Sequence, residues 1–167
     1  MKTILAVLVC LTPLLLAKDP IPNERIDYPA FMQIAQKSGP MRARRRVTED
    51  EFLAMAAEPG TVVLDARSAD KYALRHLRGA VSLPFTDFTA ESLAGVLRQK
   101  NCRILIYCNN NFRGSPVSLA AKSAPASLNI STYIALATYG YTNVYELGPL
   151  LEVKTTKLPF EGTEVAR

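Results

Sequence analysis

The chain has 167 residues, 49% hydrophobic and 21% charged, with a formal net charge of +5. This is the balance of an ordinary globular domain and excludes a disordered or low-complexity chain. The length suits one domain with a short extension and a core that needs no staples.

At the N-terminus, Lys2 precedes an apolar run from Ile4 to Leu16 that is broken by Thr12 and Pro13. Ala17 closes the run, and Lys18-Asp19-Pro20 is polar. A charged, then apolar, then small-residue order over residues 1–17 reads as a signal peptide. The run is too short and interrupted to serve as a membrane span. The expected location is therefore periplasmic or secreted, with no integral membrane segment after cleavage. Residues 18–46 read as an N-terminal extension. Asp27-Tyr28-Pro29 starts a helix, with Phe31, Ile34 and Ala35 at helical spacing and Ser38-Gly39-Pro40 as its stop. Arg42, Arg44, Arg45 and Arg46 follow, with no aromatic residues between them. This run reads as a solvated linker face, and no nucleic acid partner is expected.

The main domain is expected over residues 47–163. Thr48-Glu49-Asp50-Glu51 forms a capping box that opens a helix to about Ala57. Pro59-Gly60 turns the chain into a strand from Thr61 to Leu64, followed by a short helix from Ala69 to Leu74. A short strand spans Ala80 to Leu83, and an amphipathic helix Thr89 to Arg98. Arg103 to Tyr107 is a continuous apolar strand of the kind buried on both faces. Ile130 to Tyr139 repeats as a helix closed by Gly140, and Asn143 to Leu147 is a last strand. Strands alternating with helices predict an α/β fold, a central parallel sheet with helices on both faces.

Beyond the leader only Cys102 and Cys108 remain. Five strand residues separate them, which sets their Cα atoms roughly 20 Å apart, far beyond the reach of about 7 Å that a disulfide allows. Cys108 is therefore expected as an unpaired thiol. It stands just past a buried parallel strand, where open sheets place their ligands. The loop Asn109-Asn110-Asn111-Phe112-Arg113 tolerates unusual backbone at its asparagines and could turn successive N–H groups inward as an anion nest. Ser115-Pro116 reads as the cap and first position of a helix whose N-terminus favours thiolate at Cys108, with Arg113 adding positive charge. Residues 114–128, rich in Ser, Ala and Pro, read as an insertion that folds as a short helix and a turn beside the Cys108 pocket.

Several motifs, in order, carry a family resemblance. They are Val63-Leu64-Asp65-Ala66-Arg67, then Tyr72, then His76-Leu77-Arg78-Gly79-Ala80-Val81-Ser82-Leu83-Pro84. Ile104-Leu105-Ile106-Tyr107-Cys108 follows, then Gly140 to Gly148 and Leu158-Pro159. Together they resemble the rhodanese-like (sulfurtransferase) domain family. The resemblance implies a rhodanese-like fold and a sulfurtransferase or persulfide carrier acting through Cys108. It implies a small anionic sulfur donor such as thiosulfate, a thiol or cyanide acceptor, a protein as a further possible acceptor, and no cofactor or metal. The substrate-binding residues would be Asn109, Asn110, Asn111, Phe112 and Arg113. Asp65 and Arg67 would form a buried pair that shapes the site, and His76 would be structural. The sequence departs from the family at the loop, where three asparagines replace the usual charged residue and glycine.

Three other functions compete. A cysteine phosphatase resembles His-Cys, five residues, then Arg, but Tyr107 precedes this cysteine and Arg113 comes one position early. Thiol–disulfide exchange lacks a Cys-x-x-Cys pair. A non-catalytic rhodanese-fold binding module in the cell envelope is the main alternative.

Overall fold

The computed structural model describes residues 21–165. The signal-peptide reading of residues 1–17 lies outside the described residues. Helix α1 spans Tyr28–Arg44, and the Asp27 carboxylate caps it by accepting the Ala30 N–H at 2.8 Å. The expected stop at Ser38-Gly39-Pro40 does not occur, and the helix runs on through Pro40 to a cap at Arg45. Tertiary packing overrides the local signal: α1 lies along α5 (Leu128–Thr138), and its last turn is tied to the sheet through Arg42.

The remaining elements follow in order as β1 (Arg46–Val47), α2 (Glu49–Ala56), β2 (Thr61–Asp65), α3 (Ala69–Leu74), β3 (His76–Leu77), β4 (Val81–Ser82), α4 (Ala90–Leu97), β5 (Arg103–Tyr107), β6 (Phe112–Arg113), α5, β7 (Val144–Leu147), β8 (Leu151–Glu152) and β9 (Phe160–Glu161). The central sheet has five strands in the order β1-β7-β5-β2-β4, and every pairing in it is parallel. Two small ribbons form separately, β3 with β9 antiparallel and β6 with β8 parallel. The expected capping box of Thr48 with Glu51 opens α2, and a second, of Thr89 with Ser92, opens α4.

The period of two along β5 divides the core. Leu105 and Tyr107 join Phe52 of α2, together with Phe112 and Leu147, on one face. Ile104 and Ile106 join Leu93 and Leu97 of α4 and Tyr133 and Leu136 of α5 on the other. A strand covered on both faces reads as the unbroken apolar run seen in the sequence. Among the described residues no helix is long and apolar enough to cross a membrane.

Candidate functional site around Cys108

Strand β5 delivers Cys108 to the carboxyl end of the sheet in extended backbone, with φ −149° and ψ −175°. The residue is 1% exposed, and its thiol is free, as is that of Cys102. Its Sγ lies 3.4 Å from the hydroxyl of Ser127, the N-cap residue of α5. Ser127 makes no side-chain cap bond, so its hydroxyl is left to face the sulfur. The positive end of a helix dipole therefore meets Cys108 and favours negative charge there. The sequence assigned this role to a helix at Ser115-Pro116. No helix forms at that place, where a single turn closes with the Leu119 N–H on the Ser115 carbonyl at 2.9 Å. The Ser115 and Ser118 hydroxyls bond each other at 2.7 Å, and the chain leaves the turn after Leu119. The expected insertion does flank the cavity, through Ala124 and Ser127, but as a 3-10 turn at Ala124–Ala126 rather than an α-helix.

Cys108 opens into a cavity of about 340 Å³. Asn110, Asn111, Ser127, Asn129, Glu146, Arg42 and Arg46 line it, with backbone from Gly148 and Pro149. The asparagines after the cysteine are bound to protein. The Asn109 amide donates to the Ala120 carbonyl at 2.6 Å. Asn110 holds Lys122 from both sides, donating to its carbonyl at 2.8 Å and accepting its N–H at 3.0 Å. The Asn111 side chain accepts the Cys108 N–H at 2.9 Å and donates to the Leu147 carbonyl at 2.7 Å. These amides fasten the loop to two separate segments, 120–122 and the end of β7. They do for its shape what short side chains do in Asx turns, with partners farther along the chain. Of the expected substrate-binding residues, only Asn110 and Asn111 reach the cavity with Cys108.

Phe112 and Arg113 do not. Phe112 is buried in the core, edge-on to Tyr107 and Phe160. Arg113 leaves the loop on β6, is exposed, and pairs with Glu152 of β8 at 3.1 Å. The loop closes as a 3-10 turn over Asn109–Asn111 and then extends, so the sixth position points away from the sulfur.

The cations at Cys108 come instead from the N-terminal extension. Arg42 Nη2 donates to Glu146 Oε1 at 2.8 Å, and its Nε lies 2.7 Å from Oε2. The second approach is an ion-pair contact without hydrogen-bond alignment, as both atoms lack a bond of good geometry. Arg46 Nε stands 3.9 Å from the same carboxylate, and its Nη2 donates to the Gly148 carbonyl at 2.8 Å. The run read as a solvated linker face thus supplies two side chains to the site. One signal for this was present in the sequence. Glu146 falls inside an apolar strand, and a buried carboxylate requires a cation. Ser127 and Asn129 carried no such signal. Asn129 is 2% exposed and donates to Asn111 at 3.0 Å.

One residue before Cys108, Tyr107 joins Asp65 and Arg67 in a buried cluster. Arg67 donates to both Asp65 oxygens and to the Ser118 and Arg75 carbonyls, at 2.5–3.0 Å for the shortest bond to each. The Tyr107 hydroxyl donates to Asp65 and accepts the Leu77 N–H at 3.0 Å. Burial works against the Arg67 charge, but the bonds and charge of Asp65 outweigh it and hold the guanidinium above its usual pKa. Burial, and then the charge of Asp65, push Tyr107 well above the usual tyrosine value. His76 stacks on Tyr72 with ring centroids 3.7 Å apart and bonds the Tyr72 carbonyl through Nδ1. It does not line the Cys108 cavity.

The family model described as the rhodanese-like domain matches residues 48–148. Among solved structures, the chain is similar to the rhodanese-like domain of an Anabaena sp. protein seen by solution NMR, with 23% identity and a TM-score of 0.51, covering 74% of this chain and 83% of that one. A crystal structure of the same Anabaena protein gives 22% identity and a TM-score of 0.50, covering 71% and 94%. A Bacillus halodurans protein gives 20% and 0.51, covering 80% and 88%. No curated protein sequence matches.

Proposed function

The chain belongs to the rhodanese-like domain family, and from that premise we propose that it moves sulfane sulfur from a small anionic donor to a thiophilic acceptor through Cys108. The observation that carries the proposal is the setting of Cys108: a lone thiol at the end of the central strand, facing the N-terminus of α5 and two arginines across a small cavity. The Cys108 thiolate attacks the outer sulfur of a donor such as thiosulfate. A Cys–S–S bond forms, the donor's own S–S bond breaks, and its electron pair leaves with sulfite. The persulfide carries the negative charge that the thiolate brought. A thiol or cyanide, or a thiol on a protein, then attacks the outer sulfur and returns the thiolate. No metal or cofactor enters. The helix dipole and the arginines stabilise charge on the donor and on the departing sulfite.

The proposal extends to an exported protein, periplasmic or secreted, for which the support is the Lys2 to Ala17 pattern of the sequence. A second reading, a non-catalytic binding module, has one feature in its favour: the loop's amides are committed to protein partners and its arginine faces away. Mass spectrometry separates the two. After incubation with thiosulfate, the Cys108 peptide is expected to be one sulfur heavier, and cyanide should remove that sulfur. Cys108→Ser should abolish the adduct, and Cys102→Ser should leave it. A wild-type protein that forms no persulfide with thiosulfate or a polysulfide would establish the binding module.

A further inference from the structure

We propose that Arg46, backed by Arg42, is the residue that recognises the anionic head of the ligand at Cys108, so that the N-terminal extension, and not the Cys108 loop, completes the site. The word donor for that ligand rests on the sulfur-transfer reading; the recognition itself does not.

Charge in the cavity decides the assignment. Glu146 is 4% exposed and, among the described residues, is the only carboxylate lining it. Two guanidiniums face that single carboxylate, so one positive charge is left over. Arg42 is the partner already used, holding Glu146 at 2.7–2.8 Å. Arg46 is the surplus. Its side chain is 50% exposed, its distance to Glu146 is beyond a hydrogen bond, and its single bond among the described residues goes to the Gly148 carbonyl. A guanidinium has five N–H donors in a planar fork suited to an oxyanion. Most of that fork is therefore free beside the cavity. Arg113 cannot fill the role, as it is tied to Glu152 on the far side of the loop. Both Arg42 and Arg46 precede residue 48, where the family match begins. The helix α1 and the first residue of β1 are what bring them there, since α1 packs on α5 and Arg46 is registered against Glu146 in the parallel pairing of β1 with β7. The ligand class is a small oxyanion with a sulfonate-like head, of which thiosulfate and sulfite are examples.

The experiment measures thiosulfate and sulfite binding by calorimetry at low ionic strength, on the full chain carrying Cys108→Ser so that no turnover occurs. Added to that background, Arg46→Gln should weaken binding by about tenfold or more, the loss expected for one charge-assisted hydrogen bond. Arg46→Lys should keep most of the affinity, because it restores the charge although not the fork. Arg113→Gln should leave binding unchanged. Thermal melts of each variant establish that the fold is kept. The proposal is overturned if Arg113→Gln weakens binding as much as Arg46→Gln, if Arg46→Gln has no effect, or if neither anion binds the arginine-intact protein. Anion binding that responds to Arg46 in a protein that never forms a persulfide would sink sulfur transfer and leave this recognition standing.

Discussion

The Tyr107 hydroxyl is fixed between the Asp65 carboxylate, which Arg67 also holds, and the Leu77 N–H. Replacing Tyr107 by Phe leaves a buried acceptor and a buried donor short of a bond, at a cost of about 1–3 kcal/mol. Its titration adds a pH signature. An unfolded tyrosine loses its proton near pH 10, whereas the folded chain holds the Tyr107 proton to well above that. Between those values the unfolded state binds fewer protons, so stability is full below about pH 10 and falls as pH rises further. Urea unfolding at about pH 8 and about pH 10.5 should show this decline in the wild type. Tyr107→Phe should be less stable at the lower pH and decline less steeply. An equal decline in both would overturn the assignment. The Asp65–Arg67 pair was legible because two residues in one motif meet across a single turn. The part of Tyr107 was not, because its partner lies 42 positions away. The asparagines were legible as unusual loop residues, but their partners at 120, 122 and 147 could be seen only in the fold.

Element boundaries read correctly where a cap or a buried strand decided them, and failed where packing did. The ends of α3 and β5 and the starts of α2 and α4 follow from local residues. The end of α1 does not. Gly39 and Pro40 are ordinary stop signals, yet Gly39 is helical and exposed, because docking on α5 and the Arg42–Glu146 pair hold the turn beyond it. The local signal persists as an energetic weakness. Outside its chain neighbours and the helix's own backbone, a Cβ added at Gly39 meets no atom within 4 Å. Gly39→Ala should therefore leave stability within about 1 kcal/mol of the wild type, because the gain in backbone entropy is opposed by contact of the new Cβ with the Pro40 ring in helical backbone. Thermal unfolding checks this, and a large fall in the midpoint would show that the Pro40 contact dominates. Ser115-Pro116, also a local cap signal, gives one turn and no helix.

For the whole molecule, the layered α/β architecture was legible because the β5 run, apolar at every position, requires cover on both faces, and the alternation with helices supplies it. Residues 18–46 read as an extension to a domain beginning at 47; β1, at Arg46–Val47, is an edge strand of the central sheet, and α1 packs on α5. A single strand pairing of two residues leaves almost no sequence trace. The depth of Cys108 has one more consequence. With the residue 1% exposed at the wall of a cavity of about 340 Å³, the proposed sulfur transfer would be selective for size. A persulfide there would extend the reactive sulfur by only about 2 Å, one S–S bond length. Whatever collected that sulfur would have to enter the cavity, so width and reach are expected to weigh more than nucleophilicity in its rate. Cyanide and small thiols should discharge the persulfide faster than glutathione does, by a larger ratio than they show toward a small-molecule persulfide in solution. Stopped-flow discharge with each acceptor measures that ratio, and equal selectivity in the two settings would refute selection by size. A protein acceptor would have to present its thiol at the tip of a narrow protrusion, because a cysteine set in a flat face could not reach the sulfur.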